Sequence, residues 1–427
     1  MMNYVQLSLG EKINLIRKSK GLSLENLAHA TGCNISTISR IEKGERSCSD
    51  DILAAIKTCM EIENAPLHDY EVDAYKDRLN IWEDLAHSGR LVEARAMQEE
   101  LFPIHELPYE KELAMQYAMV DVMLLQKEGD MATAAAKIDE AQVFLDGVSD
   151  KLHIAYLCNK AYMISYGNKK EAIRLYLHAM DLAIVNEKPV ATIALNIGIA
   201  YADICQPHHA LIYLERAKAE YKLGRIHPTM SVIDAQMATC YMQIGNYKKA
   251  DKLFRIALAQ SESVNYKLSS GIMLYDMGCL YIETGDAKEG IKYVDKALAY
   301  LLGHDKYMLE ALFIKAYGLI CLKMFAECEE VLTLAKQIIS NSEEHTIQLE
   351  TLSHIATLIA KKCNLAAEYL EVTALPYLAN SDSLKFLALR VCDMLEMYYK
   401  KKRNPKRAAV FIAISRDIYR YLFMGSC

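Results

Sequence analysis

A short basic segment with several hydroxyl side chains lies near the start of this 427-residue chain. It reads NISTISRIEKGER and runs from Asn34 to Arg46. Serine and threonine hydroxyls and arginine guanidinium groups can form hydrogen bonds with base edges and with the phosphate oxygens of DNA. We therefore predict that the segment binds DNA through Asn34, Ser36, Thr37, Ser39, Arg40, Lys43 and Arg46.

Hydrophobic spacing and turn residues place this segment on the third of four short helices. Gly21, Gly32 and Gly44 each follow an amphipathic stretch, as glycine does at helix C-termini. Ser23 and Asn34 each precede one, in the N-cap position. Short helices with glycine turns, the third of which exposes hydroxyls and an arginine, predict a helix-turn-helix. The alternative is a small helical bundle whose third helix merely has a solvated polar face.

Residues 16–46 read IRKSKGLSLENLAHATGCNISTISRIEKGER and resemble the helix-turn-helix of the Cro/C1-type repressor family. The LA…G pair, the STIS of the third helix and the IEKG that follows all stand at the family's spacings. Two positions depart from the family pattern. Leu24 stands where a glutamine that contacts phosphate is common, and Ile35 stands where a polar or basic residue is common. These departures concern individual contacts and leave the assignment unchanged.

The composition is that of a folded soluble protein, with 52% hydrophobic and 24% charged residues and a net charge of −6. Residues 1–60 hold eight Lys or Arg and six Asp or Glu, a charge of +2, which leaves −8 for the rest. This asymmetry suits a chain of which only the first domain meets a polyanion. No apolar run approaches the ~18–20 residues of a membrane span, and the first residues show no signal-peptide pattern. We expect a cytoplasmic protein without a membrane partner.

From about residue 75 the chain repeats a pattern of small and aromatic residues every 38–40 positions. The three clearest copies begin at Gly198, Ala238 and Gly278, and weaker copies precede and follow them. The order of small residue, Tyr, turn, small residue, large residue and Ala resembles the tetratricopeptide signature. We predict an all-α chain with a helix-turn-helix domain at 1–65, a linker at 66–74 and a tetratricopeptide-type α-solenoid of about nine helix pairs at 75–427.

The prolines agree with these repeat boundaries, because a proline inside a helix would cost ~3 kcal/mol. Pro66 lies between the helix-turn-helix domain and the repeats. The other prolines are predicted to fall between helix pairs (Pro103, Pro108, Pro189, Pro228 and Pro376) or in turns within pairs (Pro207 and Pro405).

We expect the first helix of each pair to line a concave groove. In the clear repeats, the positions two before and five after the small residue lie seven apart and therefore share one helix face. Both positions carry a carboxamide or a carboxylate in every repeat: Asn196 and Asp203, Gln236 and Gln243, Asp276 and Glu283. This polar ladder suits an extended peptide, whose backbone offers a donor and an acceptor at each residue. Its predicted neighbours are Asn159, Thr239, Tyr275, Phe313 and Tyr317. The alternative is that these side chains are simply solvated.

No sequence pattern indicates an enzyme: neither a GxxxxGK[ST] phosphate loop nor HExxH is present. The CQPHH segment, with Cys205, His208 and His209, lies in a repeat turn and has no second ligand cluster. The basic run at 400–407 spans the turn of the last repeat, where a solvated loop is favoured over nucleic-acid contact. We predict no catalytic site, no metal and no other cofactor.

A Cro-type head joined to tetratricopeptide repeats resembles, over the whole chain, the RRNPP family of Gram-positive receptors for secreted signalling peptides. A body of about nine repeats is most similar to the NprR-like members. The resemblance implies a quorum-sensing transcription regulator that binds an operator in double-stranded DNA, forms a homodimer or tetramer through its repeats, and binds a short peptide in the groove. Family members hold the peptide backbone largely with asparagines, which only Asn196 and Asn159 match here.

Some relatives in the same family instead hold a sporulation response regulator through their repeats. A repeat-mediated protein-interaction module that sequesters a response regulator, with or without DNA binding, is therefore the second hypothesis for this chain.

Overall fold

The computed structural model describes residues 7–165, 167–222, 229–263, 267–339, 342–361 and 363–424. Within these ranges the chain is helical and contains no strand. A first compact unit ends at Lys188 and a second begins at Pro189. In the same ranges four short helices are followed by nine helical pairs, three in the first unit and six in the second. The predicted all-α fold, an N-terminal helix-turn-helix followed by helical repeats, is confirmed.

The first unit contains the four short helices of residues 9–59, here called the head, and three helical pairs. These are α1 (Leu9–Ser19), α2 (Leu24–Thr31), α3 (Ile35–Glu42), α4 (Asp50–Cys59), α5 (Asp69–Ser88), α6 (Leu91–Glu100), α7 (Lys111–Glu128), α8 (Met131–Ala141), α9 (Asp150–Ile164) and α10 (Lys169–Val185).

The second unit contains six helical pairs, and the second helix of its fifth pair is interrupted by a π-helical turn. Its helices are α11 (Ala191–Asp203), α12 (Pro207–Lys222), α13 (Thr229–Gln243), α14 (Tyr247–Ser263), α15 (Lys267–Glu283), α16 (Ala287–Tyr300), α17 (Asp305–Cys321), α18 (Phe325–Ile338), α19 (Glu343–Lys361), α20 (Asn364–Tyr369), α21 (Leu375–Asn380), α22 (Lys385–Lys401) and α23 (Pro405–Met424).

The ends of the head helices are fixed by local side chains. Ser23 accepts a hydrogen bond from the backbone amide of Asn26, and Gly32 ends α2 in the left-handed region at φ 64°. Asn34 occupies the N-cap position of α3, but its side chain makes no capping hydrogen bond. Helix α3 therefore begins where the sequence predicts, and the Asn34 amide stays available for other contacts.

The head shares one hydrophobic core with α5, α6 and α7, which are helices of the same unit. Lys12 of α1 donates to the backbone oxygen of Leu67 over 2.9 Å, and its ammonium lies 3.2 Å from the carboxylate of Asp69. Lys20 pairs with Glu106 at 3.1 Å. Residues 66–74, predicted as a linker, include the first turns of α5.

The small residues of the repeats allow paired helices to approach closely, as the tetratricopeptide pattern predicts. A Cβ added to Gly278 of α15 would lie 2.5 Å from Cγ2 of Val294 and 2.9 Å from the backbone oxygen of Gly290, both on α16. Because protein interiors are close-packed, there is no room for a larger residue at this crossing.

The position of Pro376 differs from the prediction. This residue lies within a helical segment that runs from Asn364 to Asn380, not between helical pairs. A π-helical turn at Leu370–Ala374 ends two residues before it and widens the helix where a proline ring would otherwise clash with a backbone carbonyl. Pro228 lies outside the described residues, and the other prolines fall at helix starts or between helices.

Candidate functional site

The predicted recognition helix α3 presents polar side chains on the surface of the first unit. Its opposite face is apolar, with Ile38 and Ile41 buried in the head core. Of the residues predicted to bind DNA, Thr37 and Ser39 are partly buried, and the others are exposed: Asn34, Ser36, Arg40, Lys43 and Arg46. Helix α3 therefore has two faces: a buried apolar face that fixes its position and a polar face that a ligand can reach.

Two exposed pairs connect the polar side chains of this face. Arg46 Nη1 donates to Thr37 Oγ1 over 3.2 Å, and Arg40 Nε lies 3.7 Å from a carboxylate oxygen of Glu45. An exposed ion pair contributes only ~0–1 kcal/mol, and a hydrogen bond contributes ~0.5–1.5 kcal/mol net because water can replace it. Both guanidinium groups can therefore exchange these partners for phosphate oxygens at small cost.

The two departures from the repressor pattern have different surroundings. Leu24 is partly buried against the head core, so it contributes to packing. Ile35 is 46% exposed at the start of α3. Neither side chain can hydrogen-bond to DNA, although an exposed apolar side chain can contact a thymine methyl group.

A cavity of about 610 Å³ opens among α11, α13, α15 and α17, the first helices of four successive pairs in the second unit. Five residues of the predicted groove line it: Asp203, Gln236, Thr239, Tyr275 and Asp276. Gln236 and Thr239 lie three residues apart and so share one face of α13. The volume falls in the ~300–1,000 Å³ range of ligand pockets, enough for part of a short peptide.

Two carboxyl groups from adjacent helices face this cavity, Asp276 of α15 and Glu310 of α17. Enclosure by protein, with Glu310 close by, raises the pKa of Asp276 to about 8. Enclosure, with Glu344 close by, raises the pKa of Glu310 to about 7, and Lys306 opposes this shift. The two carboxyls are therefore difficult to ionise together near neutral pH.

A smaller cavity of about 90 Å³ adjoins the larger one, since Glu310 and Ile314 line both. Two further residues of the predicted groove, Phe313 and Tyr317, line the smaller cavity together with Arg390 of α22. The Arg390 guanidinium carbon lies 3.9 Å from the centre of the Tyr317 ring, a cation–π contact.

Four predicted peptide-binding residues lie outside the two cavities. Glu283 forms an ion pair with Arg390. Gln243 Nε2 donates to the backbone oxygen of Ala202 over 3.4 Å. Asn196 is partly buried on α11 and lines neither cavity. Asn159 belongs to the first unit, where its amide donates within its own helix to the backbone oxygen of Ala155 over 3.0 Å.

The sequence prediction omitted several cavity residues, among them Glu310, Lys306 and Tyr307 of α17. A signal for Glu310 exists in the spacing. Val232 and Ile272 stand one helical turn before Gln236 and Asp276, and Glu310 occupies the equivalent place on α17. Extending the ladder by one turn and one helix would have included it.

The CQPHH turn does not assemble a metal site. Cys205 is buried, whereas His208 and His209 are exposed, and the His209 ring stacks on Tyr201 at 5.2 Å between ring centres. In the part of the chain that the structure describes, no group of three or more His, Cys, Asp or Glu could hold a metal ion. None of the described helices combines the length and the apolar character that crossing a membrane requires.

Comparison with known proteins supports the helix-turn-helix domain and the helical-repeat fold. Residues 13–56 match the family model described as Helix-turn-helix. The apo form of the quorum sensor NprR from B. thuringiensis has a similar fold, with a TM-score of 0.64 and 17% identity, over 82% of this chain and 100% of that chain. NprR in complex with its cognate peptide NprX gives a TM-score of 0.64 and 18% identity, over 82% and 98% of the two chains.

A Rap protein complexed with competence and sporulation factor is also similar in fold. Its TM-score is 0.70 with 16% identity, over 82% of this chain and 98% of that chain. Among curated proteins, none matches this sequence significantly. The chain therefore contains a helix-turn-helix domain and shares, over most of its length, the fold of the NprR and Rap proteins, as its resemblance to the RRNPP family predicted.

Proposed function

We propose that this protein is a transcription regulator that binds operator DNA through α3 and is controlled by a short signalling peptide bound in the 610 Å³ cavity. The observation that carries the proposal is the presence, in one chain, of an exposed polar recognition helix and of a cavity lined by amide, hydroxyl and carboxyl groups. Neither role requires catalysis or a cofactor, and both belong in the cytoplasm, where DNA and an imported peptide meet.

The DNA-binding role is supported by the match of residues 13–56 to the helix-turn-helix family and by the chemistry of α3. Thr37 and Arg40 can reach base edges, whereas Lys43 and Arg46 can contact the phosphate backbone. One such head covers little DNA surface, so we propose that the regulator acts as a homodimer or tetramer. Two heads would bind half-sites ~34–36 Å apart, or a multiple of that distance.

The peptide-binding role is supported by the alternation of polar and apolar groups in the cavity. Gln236, Thr239 and Ser269 offer donors and acceptors to a peptide backbone, while Ile272 and Met273 offer apolar contact to its side chains. The NprR structure that is similar in fold was solved with a cognate peptide. We include Asn196, at the other end of the predicted ladder, among the candidate contacts.

Selection from randomised DNA and peptide libraries tests both roles on the full-length protein. We expect one double-stranded motif to be enriched by the wild type and not by a Thr37→Ala, Arg40→Ala variant. We also expect peptide pools to be retained by the wild type more strongly than by a Gln236→Ala, Asp276→Asn variant. A failure to enrich any DNA motif would refute the first role, and a failure to retain any peptide would refute the second.

The fold similarity to Rap, with a TM-score of 0.70, supports a second candidate function. In this alternative the repeats bind a response regulator protein, in addition to DNA or in its place. Binding of a phosphorylated receiver domain to the full-length protein without DNA, undiminished in the Thr37→Ala, Arg40→Ala variant, would favour it.

A further inference from the structure

We propose that the large cavity selects peptides with a positively charged group, either a free amino terminus or a Lys or Arg side chain, which binds between Asp276 and Glu310. This inference rests on the proposed peptide-receptor function. It adds the chemical class of the ligand, which the resemblance to known folds does not give.

The carboxyl of Asp276 is the first reason for this proposal. It is partly buried and lines the cavity, yet among the described residues it has no hydrogen-bond or ion-pair partner. A carboxyl group that loses water without gaining a partner costs free energy. A ligand that supplies a hydrogen-bond donor with a positive charge removes this cost.

The second reason is the charge of the cavity wall. Three carboxyl side chains line it (Asp203, Asp276 and Glu310), and the only lysine or arginine among the described lining residues is Lys306. Behind Glu310 lie a further carboxylate, Glu344, and the His345 ring, whose Nε2 is 4.0 Å from Glu310. Acidic side chains therefore outnumber basic ones in the cavity wall, and they become a complementary anionic surface when a cation binds and ionises them.

The third reason is the raised pKa of both carboxyls. Burial raises the pKa of Asp276 to about 8, with a smaller contribution from Glu310, and burial beside Glu344 raises the pKa of Glu310 to about 7. A cation between the two groups reverses this effect, since it stabilises both ionised forms at once. A positively charged ligand therefore gains a charged hydrogen bond from each carboxyl that it ionises, which a neutral ligand does not.

The surrounding side chains suit an ammonium or guanidinium group on a flexible stem. Ile272 and Ile314 provide apolar surface for methylene groups, and the Tyr275 ring lies beside Asp276 in the cavity wall. A bare metal ion fits less well, because no metal-holding cluster occurs among the described residues. The chemistry therefore indicates an organic cation attached to the peptide.

The test uses full-length protein and pools of eight-residue peptides in which one central position is fixed as Lys, Arg, Gln or Glu. The other positions are randomised over residues without positive charge, and each pool is prepared with a free or an acetylated amino terminus. Retained peptide is quantified by mass spectrometry. We expect Lys or Arg at the fixed position, or the free amine, to increase retention by about 10-fold or more, the effect of one charged hydrogen bond.

Variants connect the preference to the two carboxyls. Asp276→Asn with Glu310→Gln should abolish the preference, whereas Glu329→Gln with Glu330→Gln, a matched change at exposed positions of α18, should preserve it. Circular dichroism checks the fold, and the single Asp276→Asn variant replaces the double variant should the latter not fold.

Equal retention of all charged and uncharged pools would overturn the inference and leave the peptide-receptor function standing. A preference that survives in the Asp276→Asn, Glu310→Gln variant would also overturn it. Retention of no pool at all would refute the receptor function itself, and the inference with it.

Discussion

The guanidinium of Arg17 holds the carboxylate of Glu42 through two hydrogen bonds, Nε to Oε1 at 2.7 Å and Nη2 to Oε2 at 3.0 Å. Arg17 lies on α1, and Glu42 is the last residue of α3. Both residues are buried, with exposed fractions of 8% and 6%. This pair therefore anchors the recognition helix on the first helix, close to Gly10, where an added Cβ would overlap the backbone oxygen of Ile41.

Replacing Glu42 with Gln should strongly destabilise the head. The change leaves the Arg17 charge buried without a counter-charge, which typically costs ~3–5 kcal/mol. Hydrogen exchange of backbone amides in α1 and α3 should accelerate by roughly two to four orders of magnitude. The exposed Arg40–Glu45 pair provides the control. Glu45→Gln should change the free energy of opening, measured by exchange in α1 and α3, by less than about 1 kcal/mol. Equal protection in the Glu42→Gln variant and the wild type would contradict this account.

Replacing Thr37 and Arg40 with alanine should abolish specific DNA binding without unfolding the head, because neither side chain belongs to the head core. Each lost base contact costs ~1–3 kcal/mol, and a lost phosphate contact lowers the salt dependence of the affinity. A gel-shift titration at several salt concentrations measures both effects. Unchanged operator affinity would show that α3 is a solvated surface and not a recognition helix.

The second unit should lose stability as the pH rises from about 4 to about 8. The pKa of Asp276 is about 8 and that of Glu310 about 7 in the folded protein, above the values 3.8 and 4.5 of unperturbed groups. The unfolded state therefore releases these protons first, and stability present at low pH is lost on ionisation. Asp203, Lys306, Glu344, His345 and Tyr275 also face or surround the two groups.

Thermal unfolding at pH 6 and pH 8.5 measures this effect. Asp276→Asn should reduce the loss of stability between the two values, because the substituted amide does not ionise. Glu330→Gln, an exposed change of the same kind, should not reduce it. The same loss of stability in Asp276→Asn and in the wild type would mean that Asp276 titrates like an ordinary carboxylate.

Replacing Gly278 with alanine should destabilise the second unit by ~1–3 kcal/mol, because the new Cβ meets the Gly290 backbone oxygen at 2.9 Å, and backbone cannot move as a flexible side chain does. Gly167→Ala is the matched control, since an added Cβ there meets no atom within 4 Å. Chemical denaturation of the two variants gives the comparison. Equal stability of both variants would show that the close approach of α15 and α16 relaxes without cost.

The head was predictable from sequence because its signals are local. Ser23 and Gly32 mark helix ends through bonds and backbone angles that involve only neighbouring residues. The helical pairs were equally predictable, because small residues such as Gly278 recur with the period of the repeat. Pro376 was misplaced because a π-helical turn, which no sequence spacing indicates, accommodates it within a helix.

The candidate cavity was predictable only in part. The repeat spacing identifies cavity residues where the repeat is regular: Asp276 follows Gln236 by 40 residues, and both line the cavity. The next equivalent position is Ile314, only 38 residues on, and the acidic group stands one turn earlier, at Glu310. The ion pair of Glu283 with Arg390 joins α15 to α22, and no periodic pattern relates such distant helices.

Peptide bound in the cavity should change DNA binding by the head. Fluorescence anisotropy of the selected operator, titrated with full-length protein with and without the retained peptide, measures this coupling. We predict a change in operator affinity of about 5- to 150-fold, with an equal change in peptide affinity when operator is present. The effect should be lost in the Gln236→Ala, Asp276→Asn variant, whose peptide-free operator affinity should match the wild type. Identical operator affinity with the cavity saturated and empty would contradict the account.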